Sequence, residues 1–433
     1  MGDRWRSVPL SEVTHRITKG TTPTTVRGSF CSSGISFVKV ESITANGRID
    51  VSRLAYIDTE TDAILSRSRL QHDDILFTIA GTIGRVSLVD SAIIPGNTNQ
   101  AVAIIRPDQS KIEPRFLYFA LRDSSRINEA KTRVVQSVQA NFSLSELSRL
   151  NVPLPSLKEQ RAIAAILGAI DDKIELNRKM SATLEAMARA IFTSWFVDFD
   201  PVRAKAEGRD TGLAPEIATL FPDAFVAYAD GEIPTNWSMH GLDDVATFLN
   251  GLALQRFPPR DGSPTLPVIK IAQLRAGHVK NADRADSSLK SDYVVTNGDI
   301  LFSWSGSLEC EIWVGGSGAL NQHLFKVTGT VVPNWFAYLS VLHHLPSFRQ
   351  IAAAKATTMG HIQRHHLHEA TICIPSKPVF DAASALIGPM IEASWKRRLQ
   401  SNTIATLRDT LLPKLISGEF RVSDAERILE MSA

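Results

Sequence analysis

Through the first 156 residues, short apolar runs alternate with polar positions and stop at Gly, Pro, Asn or Asp. The runs ISFVKV (35–40), DILFTI (74–79), RVSLV (85–89) and AVAIIRP (101–107) have the length and composition of strands. A helical stretch follows at residues 114–130. After residue 157 the period changes. Apolar residues at Ile163, Leu167, Ile170, Ile174, Leu184, Ala188, Ile191 and Trp195 alternate by four and three, the spacing of a coiled-coil seam. Asn177 and Ser181 fill the two seam positions in the middle, where a buried polar pair costs stability but fixes register and partner. Only Gly168 interrupts the stretch. The spacing predicts one helix of about 38 residues, nearly 60 Å long at roughly 1.5 Å per residue.

The same order of landmarks then recurs with a period of about 220–230 residues. Trp5 opens RWRSVPLSEVTHRITKG and Trp237 opens NWSMHGLDDVATFLNG. SFVKVESITANGRID resembles LPVIKIAQLRAGHVKNAD. Asp74-Ile75-Leu76-Phe77 matches Asp299-Ile300-Leu301-Phe302, and Asn99-Gln100 matches Asn321-Gln322. The helical stretch 114–130 has its counterpart at 334–354, and VPLPS at 152–156 matches ICIPS at 372–376. Finally LNRKMSATLEAMARAIF matches LQSNTIATLRDTLLPKL, with Leu184 over Leu407. The chain is therefore read as a duplication. Its second long helix carries Ala383, Ile387 and Met390, then Ile404, Leu407, Leu411 and Leu415. Gly388-Pro389 is expected to kink or restart it. Duplication supplies two matched helices, and each is expected to pack antiparallel on the other.

The predicted fold class is α+β (mixed α/β), with two tandem modules at residues 1–156 and 235–376. The long helices lie at 157–200 and 377–433, with a linker at 201–234. Hydrophobic residues make up 44% and charged residues 21%, which excludes a disordered chain. Cys31, Cys310 and Cys373 are far apart and form no CxxC, so neither a disulfide framework nor a zinc site is expected. The absence of a long apolar run and the polar start MGDRWRSVPL suggest a cytoplasmic protein without a membrane span. The net charge is only +2 and unevenly spread: residues 1–156 carry 19 Lys+Arg against 15 Asp+Glu, residues 157–234 carry 9 against 13. A protein that holds DNA alone by phosphate neutralisation is usually more basic, so if this chain binds DNA, partners are expected to supply much of the grip.

Catalytic motifs are missing. The sequence has no Asn-Pro-Pro, as a methylase acting on adenine would need, and no P-loop. The glycine-rich segment 314–318 reads as a hairpin turn. A nuclease site could draw on Asp108, or on Asp171, Asp172 and Lys173, but the latter aspartates are expected on the solvated face of the helix. His361 and His365 stand four apart, a metal-compatible spacing on a helix, with Glu369 the one acidic residue placed beside them. A polar helix near DNA is the preferred reading, and no metal is expected.

Base readout calls for polar side chains on loops. Three loops of the first module qualify: Lys19, Thr21, Thr22 and Thr24; Thr82 and Arg85; Gln136, Gln139 and Asn141. Their counterparts in the second module are Asn250; Ser303, Ser305 and Ser307; Thr358 and His361. Ordinary turn chemistry explains any one of these residues equally well. Their recurrence at matching places favours DNA. The two Asn-Gln pairs could contact DNA or form a structural corner.

Two α/β modules alternating with two long helices resemble the specificity subunits of type I restriction–modification enzymes. The junction PLPSLKEQRAIA (153–164) and the segment DFDPVRAKAEG (198–208) carry the resemblance most specifically, with HDDILF, NGDILF and LLPKLISGEFRV beside them. The second junction, SKPVFDAA, lacks the pair matching Glu159-Gln160. The resemblance implies that each module reads one half of a bipartite site in double-stranded DNA. It implies that the helices set the spacer and dock two methylation subunits, through Ile163, Leu167, Ile170, Ile174, Leu184, Ile191, Ile404, Leu407 and Leu411. S-adenosylmethionine would sit on those partners, and ATP and Mg on two restriction subunits that can be added. The chain itself would bind no cofactor and have no active site. The alternatives are a stand-alone metal-dependent nuclease or methylase, and a coiled-coil scaffold without DNA contact.

Overall fold

A computed structural model describes residues 5–135, 142–229, 231–354 and 360–432, with side chains for these except 131, 133–135 and 428–432. The chain forms two compact units: residues 1–173 with 404–433, and residues 174–403.

The first unit contains β1 (Ser7–Pro9), β2 (Thr14–Lys19), β3 (Phe30–Cys31), β4 (Ile35–Val38), β5 (Ala55–Ile57), β6 (Ile75–Thr78), β7 (Val86–Leu88), β8 (Gly96–Thr98), β9 (Val102–Pro107) and β10 (Asn151–Pro153). One antiparallel sheet has the order β2-β9-β6-β7. The apolar run of β6 is buried on both faces, which is why it does not alternate. A second sheet, β3-β5-β4-β8, has β4 parallel to β8. β1 pairs with β10 and so brings the start of the module beside its end. The helix Pro114–Arg122 buries Phe116, Leu117 and Phe119.

The second unit contains β11 (Phe225–Tyr228), β12 (Gly231–Pro234), β13 (Ser238–Gly241), β14 (Ala246–Asn250), β15 (Thr265–Ile269), β16 (Arg284–Asp286), β17 (Val294–Val295), β18 (Ile300–Ser303), β19 (Cys310–Ile312), β20 (Gly318–Leu320), β21 (Leu324–Gly329) and β22 (Thr371–Ile374). Its sheet β14-β21-β18-β19 repeats the order of the first unit, β15 runs parallel to β20 as β4 does to β8, and β13 pairs with β22 as β1 does with β10. Two expectations fail here. The glycine-rich segment is not a hairpin turn, because β19 and β20 belong to different sheets; it folds over Trp313, whose indole N–H donates to the Gly316 carbonyl at 2.6 Å. Segment 201–234 is not a bare linker. It forms the helices Asp200–Ala206 and Pro215–Ala218 and the β11–β12 hairpin, and Phe221 packs edge-on against Trp195 at 4.9 Å.

The first long helix spans Leu157–Phe196 and the second Lys377–Ser417. The second continues through Gly388-Pro389 and does not restart there. Proline removes one backbone hydrogen bond, and burial of Ala383, Ile387 and Ile391 along one face holds the helix. Gly418, in the left-handed region at φ 78°, follows its end, and a Cβ there would lie 2.7 Å from the Trp5 ring.

Within the first unit, Ile163, Leu167, Ile170, Leu411 and Leu415 are buried, and Ile404 and Leu407 are half-buried. Asp171 is not on a solvated face. It is 7% exposed and takes Arg122 at 2.9 Å and Arg408 at 2.7 Å, while its neighbour Asp172 stays exposed with Arg115 at 2.8 Å. Burial pulls the Arg408 pKa down, but hydrogen bonding and charge from Asp171 and Asp409 outweigh it and leave the guanidinium raised. Within the second unit, Asn177 and Ser181 are buried as expected; Ile174, Leu184 and Ile191 are half-buried. Asn177 Nδ2 donates to Gln400 Oε1 at 2.9 Å, and Ser181 Oγ meets Ser394 Oγ at 2.6 Å. Numbers rise on one helix as they fall on the other, so these segments run antiparallel. Ile391 and Ser394, not Met390, carry the buried seam here. Among the described residues no helix is long and apolar enough to cross a membrane.

Candidate nucleic-acid interface

The aspartate before each ILF run builds the same joint twice. Asp74, 1% exposed, accepts the Gln71 backbone N–H at 2.8 Å and both Nε and Nη2 of Arg106 on β9, each at 2.8 Å. That hydrogen bonding holds the Arg106 pKa above its usual value. Asp299 accepts the Thr296 N–H at 2.7 Å and pairs with Lys326 on β21 at 3.0 Å. The preceding residue has positive φ in both places, Asp73 at 68° and Gly298 at 95°. This joint fixes how the next loop leaves the sheet.

That loop is clasped by the last residue of the strand. Thr78 Oγ1 donates to the Thr82 carbonyl and accepts the Arg85 N–H at 2.8 Å. Ser303 Oγ donates to the Ser307 carbonyl at 2.7 Å and accepts the Glu309 N–H at 2.7 Å. A second corner faces it. Asn99 Oδ1 accepts the Ala101 N–H at 3.1 Å, and Asn321 Oδ1 accepts the His323 N–H at 3.2 Å, the same side-chain turn in both modules. Gly20 and Gly251 press on these corners: a Cβ would lie 1.8 Å from the Thr98 oxygen and 2.2 Å from the Asn321 oxygen. The loops thus converge. In the first unit Ile79 N–H donates to Ala101 O at 2.8 Å and Phe142 N–H to Ile79 O at 2.9 Å. In the second, Trp304 Nε1 donates to Asn250 Oδ1 at 3.1 Å and to Gln322 O at 3.0 Å, and Ile362 N–H donates to Trp304 O at 3.0 Å.

Residues 2–186 match the type I restriction modification DNA specificity domain. The type I restriction enzyme MjaIX specificity subunit of Methanocaldococcus jannaschii is 25% identical over 361 residues, covering 81% of this chain and 78% of that one. The HindI specificity subunit of Haemophilus influenzae is 24% identical over 408 residues, 82% and 88% of the two chains. Over most of its length this chain is similar to type I specificity subunits. The S subunit of M. genitalium shares the fold over 95% of this chain and 96% of its own, with a TM-score of 0.56 at 12% identity.

The fold places the sequence-predicted residues unevenly. Lys19, Thr24, Thr82, Asn250 and Ser307 are exposed around the two corners, and Thr21, Thr22 and His361 are half-buried there. Arg85, in contrast, turns inward and donates Nη1 to the Ile43 carbonyl at 2.6 Å, so it braces the loop. Ser303 is fully buried as the clasp. Ser305 is buried too, its Oγ 2.8 Å from His323 Nδ1. These three are built into the frame because the loop must close on itself before it can present anything. Gln136, Gln139, Asn141 and Thr358 lie outside the described residues. Sequence reading missed Arg67, exposed with Nη2 3.5 Å from Thr21 Oγ1, and Trp304, half-buried with His323 and His361 about it. Position 304 aligns with Ile79, one residue after the clasp, so the repeat held a signal for Trp304. Nothing local marked Arg67.

The histidines do not form the expected helical pair. His361 precedes the helix Arg364–Glu369, in a bridge with Ser305, while His365 is on it. The chain does gather His365, His366 and Glu369, and separately Asp243, Asp244 and His368. His366 Nδ1 already accepts the Gln363 N–H at 2.8 Å, and Asp244 the Gly241 N–H at 3.0 Å, so both serve as helix caps.

Proposed function

We propose that this chain is a specificity subunit that directs partner enzymes to a bipartite site in double-stranded DNA, with module 1–156 reading one half and module 235–376 the other. The observation that carries this reading is the twice-built corner: one frame, two sets of exposed loop residues. Identical frames place readers equivalently, and unlike loops give each reader its own bases. The paired helices set the spacer and dock two methylation subunits. Leu176, Met180 and Met187 support docking. They are exposed at helical spacing along the first long helix, an apolar stripe of the kind that partners cover. S-adenosylmethionine belongs to the methylation subunits; ATP and Mg belong to restriction subunits, two of which would complete a nuclease in a system that has them. The chain itself does no chemistry. Its near-neutral charge fits a reader whose partners share the hold on the phosphates.

The test is a map of methylated adenines in cells that express this chain, a methylation subunit of the same system, or both. One split motif with a fixed spacer, only when both are present, is the expected result. A nuclease or methylase would act without the partner. A scaffold would give no sequence preference in any mixture.

A further inference from the structure

Each corner holds a glutamine amide by its oxygen. In the first unit Thr22 Oγ1 donates to Gln100 Oε1. In the second, Asn321 Nδ2 donates to Gln322 Oε1 at 2.7 Å, while the Gln322 backbone donates to Leu252 O at 2.9 Å. The donors differ, a hydroxyl and an amide, yet the outcome is the same. The amide oxygen is occupied, and Nε2 makes no hydrogen bond among the described residues. Gln100 is exposed and Gln322 half-buried, each beside the loop clasped by Thr78 or Ser303. An amide fixed this way is a preset donor of two N–H groups.

What such a donor meets follows from the repeat. The loops around the corners differ between the modules, as readers of different half-sites must. The glutamines do not differ. Groups shared by two readers suit what two half-sites share, and that is the sugar–phosphate backbone. Exposed Lys19 and Arg67 flank the first corner, as an anionic ligand requires. We infer that Gln100 and Gln322 are twin phosphate anchors, each donating Nε2–H to a DNA phosphate at the same place in its half-site and thereby setting register without reading sequence. This rests on the DNA-reading function proposed above.

The experiment measures dissociation constants of the complex with its methylation subunits, for a duplex carrying the mapped motif and for a scrambled duplex, at several salt concentrations. Gln100→Ala and Gln322→Ala should each weaken both duplexes by the same factor, about ten-fold for one hydrogen bond to a charged group. The methylated motif should stay unchanged. The salt dependence should also stay, since no charge is removed. Gln100→Glu should weaken binding further. If Gln100→Ala lowers the melting temperature, Gln100→Met, of similar length, carries the test. Loss confined to the cognate duplex with an altered motif would make the glutamines base readers and overturn the inference, as would unchanged affinity. A wild-type complex that prefers no duplex would sink the functional reading itself, and this inference with it.

Discussion

The two modules share a skeleton and part company at their surfaces. Both have the same four-strand order, the same aspartate–cation joint, the same clasp and the same glycine pressed on an asparagine corner. They differ in the second sheet, where β3 adds to β5 in the first unit but β17 adds to β20 in the second. They differ at the clasp, where buried Ile79 is matched by half-buried Trp304 among histidines. They also differ where module meets helix. In the first unit Asp171 sits between Arg122 and Arg408; in the second, Glu185, which aligns with Arg408, bonds Ser394 at 2.7 Å, and Arg398 reaches Glu311 at 2.9 Å. Burial raises the Glu311 pKa, and Arg398 opposes it. What the two modules share lies in the central sheet and its corner, and what separates them lies in the second sheet and in side chains around the frame.

The largest effect is expected at the joint with opposite charge. Asp171→Ala leaves Arg122, 12% exposed, without a carboxylate and Arg408 with only the exposed Asp409, at a cost of about 3 kcal/mol in urea unfolding. A cost no greater than that of Ser394→Ala would mean the buried charge does not organise the first unit. Next come the corner glycines. Gly20→Ala and Gly251→Ala should each cost about 2 kcal/mol through forced backbone shifts, Gly20 the more because its contact is closer. If Gly251→Ala proved neutral, the shared corner would not be a shared constraint. Ser394→Ala should cost about 1 kcal/mol for its bonds to Ser181 and Glu185. The smallest change in stability, within about 0.5 kcal/mol, is expected for exposed Thr82→Ala and Ser307→Ala. Each should alter the methylated motif in one half only, and a change in both halves would contradict independent reading.

The elements that sequence disclosed were those with local periodicity or a repeat. The four–three seam found the long helices because every turn repeats the signal, and the paired DILF runs found the central strands because both copies carry it. Asp171 escaped because its partners, Arg122 and Arg408, lie far away in sequence, and a lone acidic residue on a helix looks solvated. Pro389 suggested a restart because propensity weighs one residue, whereas the buried face continues on both sides of it. The repeat pointed to matching loops in the two modules but could not tell exposed Ser307 from buried Ser303, since both are serines in one turn and only the clasp geometry separates them. The fold was therefore more legible than the site.

The most direct test of two independent readers on one frame is to replace residues 235–376 by a second copy of residues 1–156 and map adenine methylation with the methylation subunit present. The expected result is a new motif in which the half-site of the first module occurs twice at a fixed spacing. Persistence of the original second half-site, from a soluble chain that no longer contains its module, would contradict it.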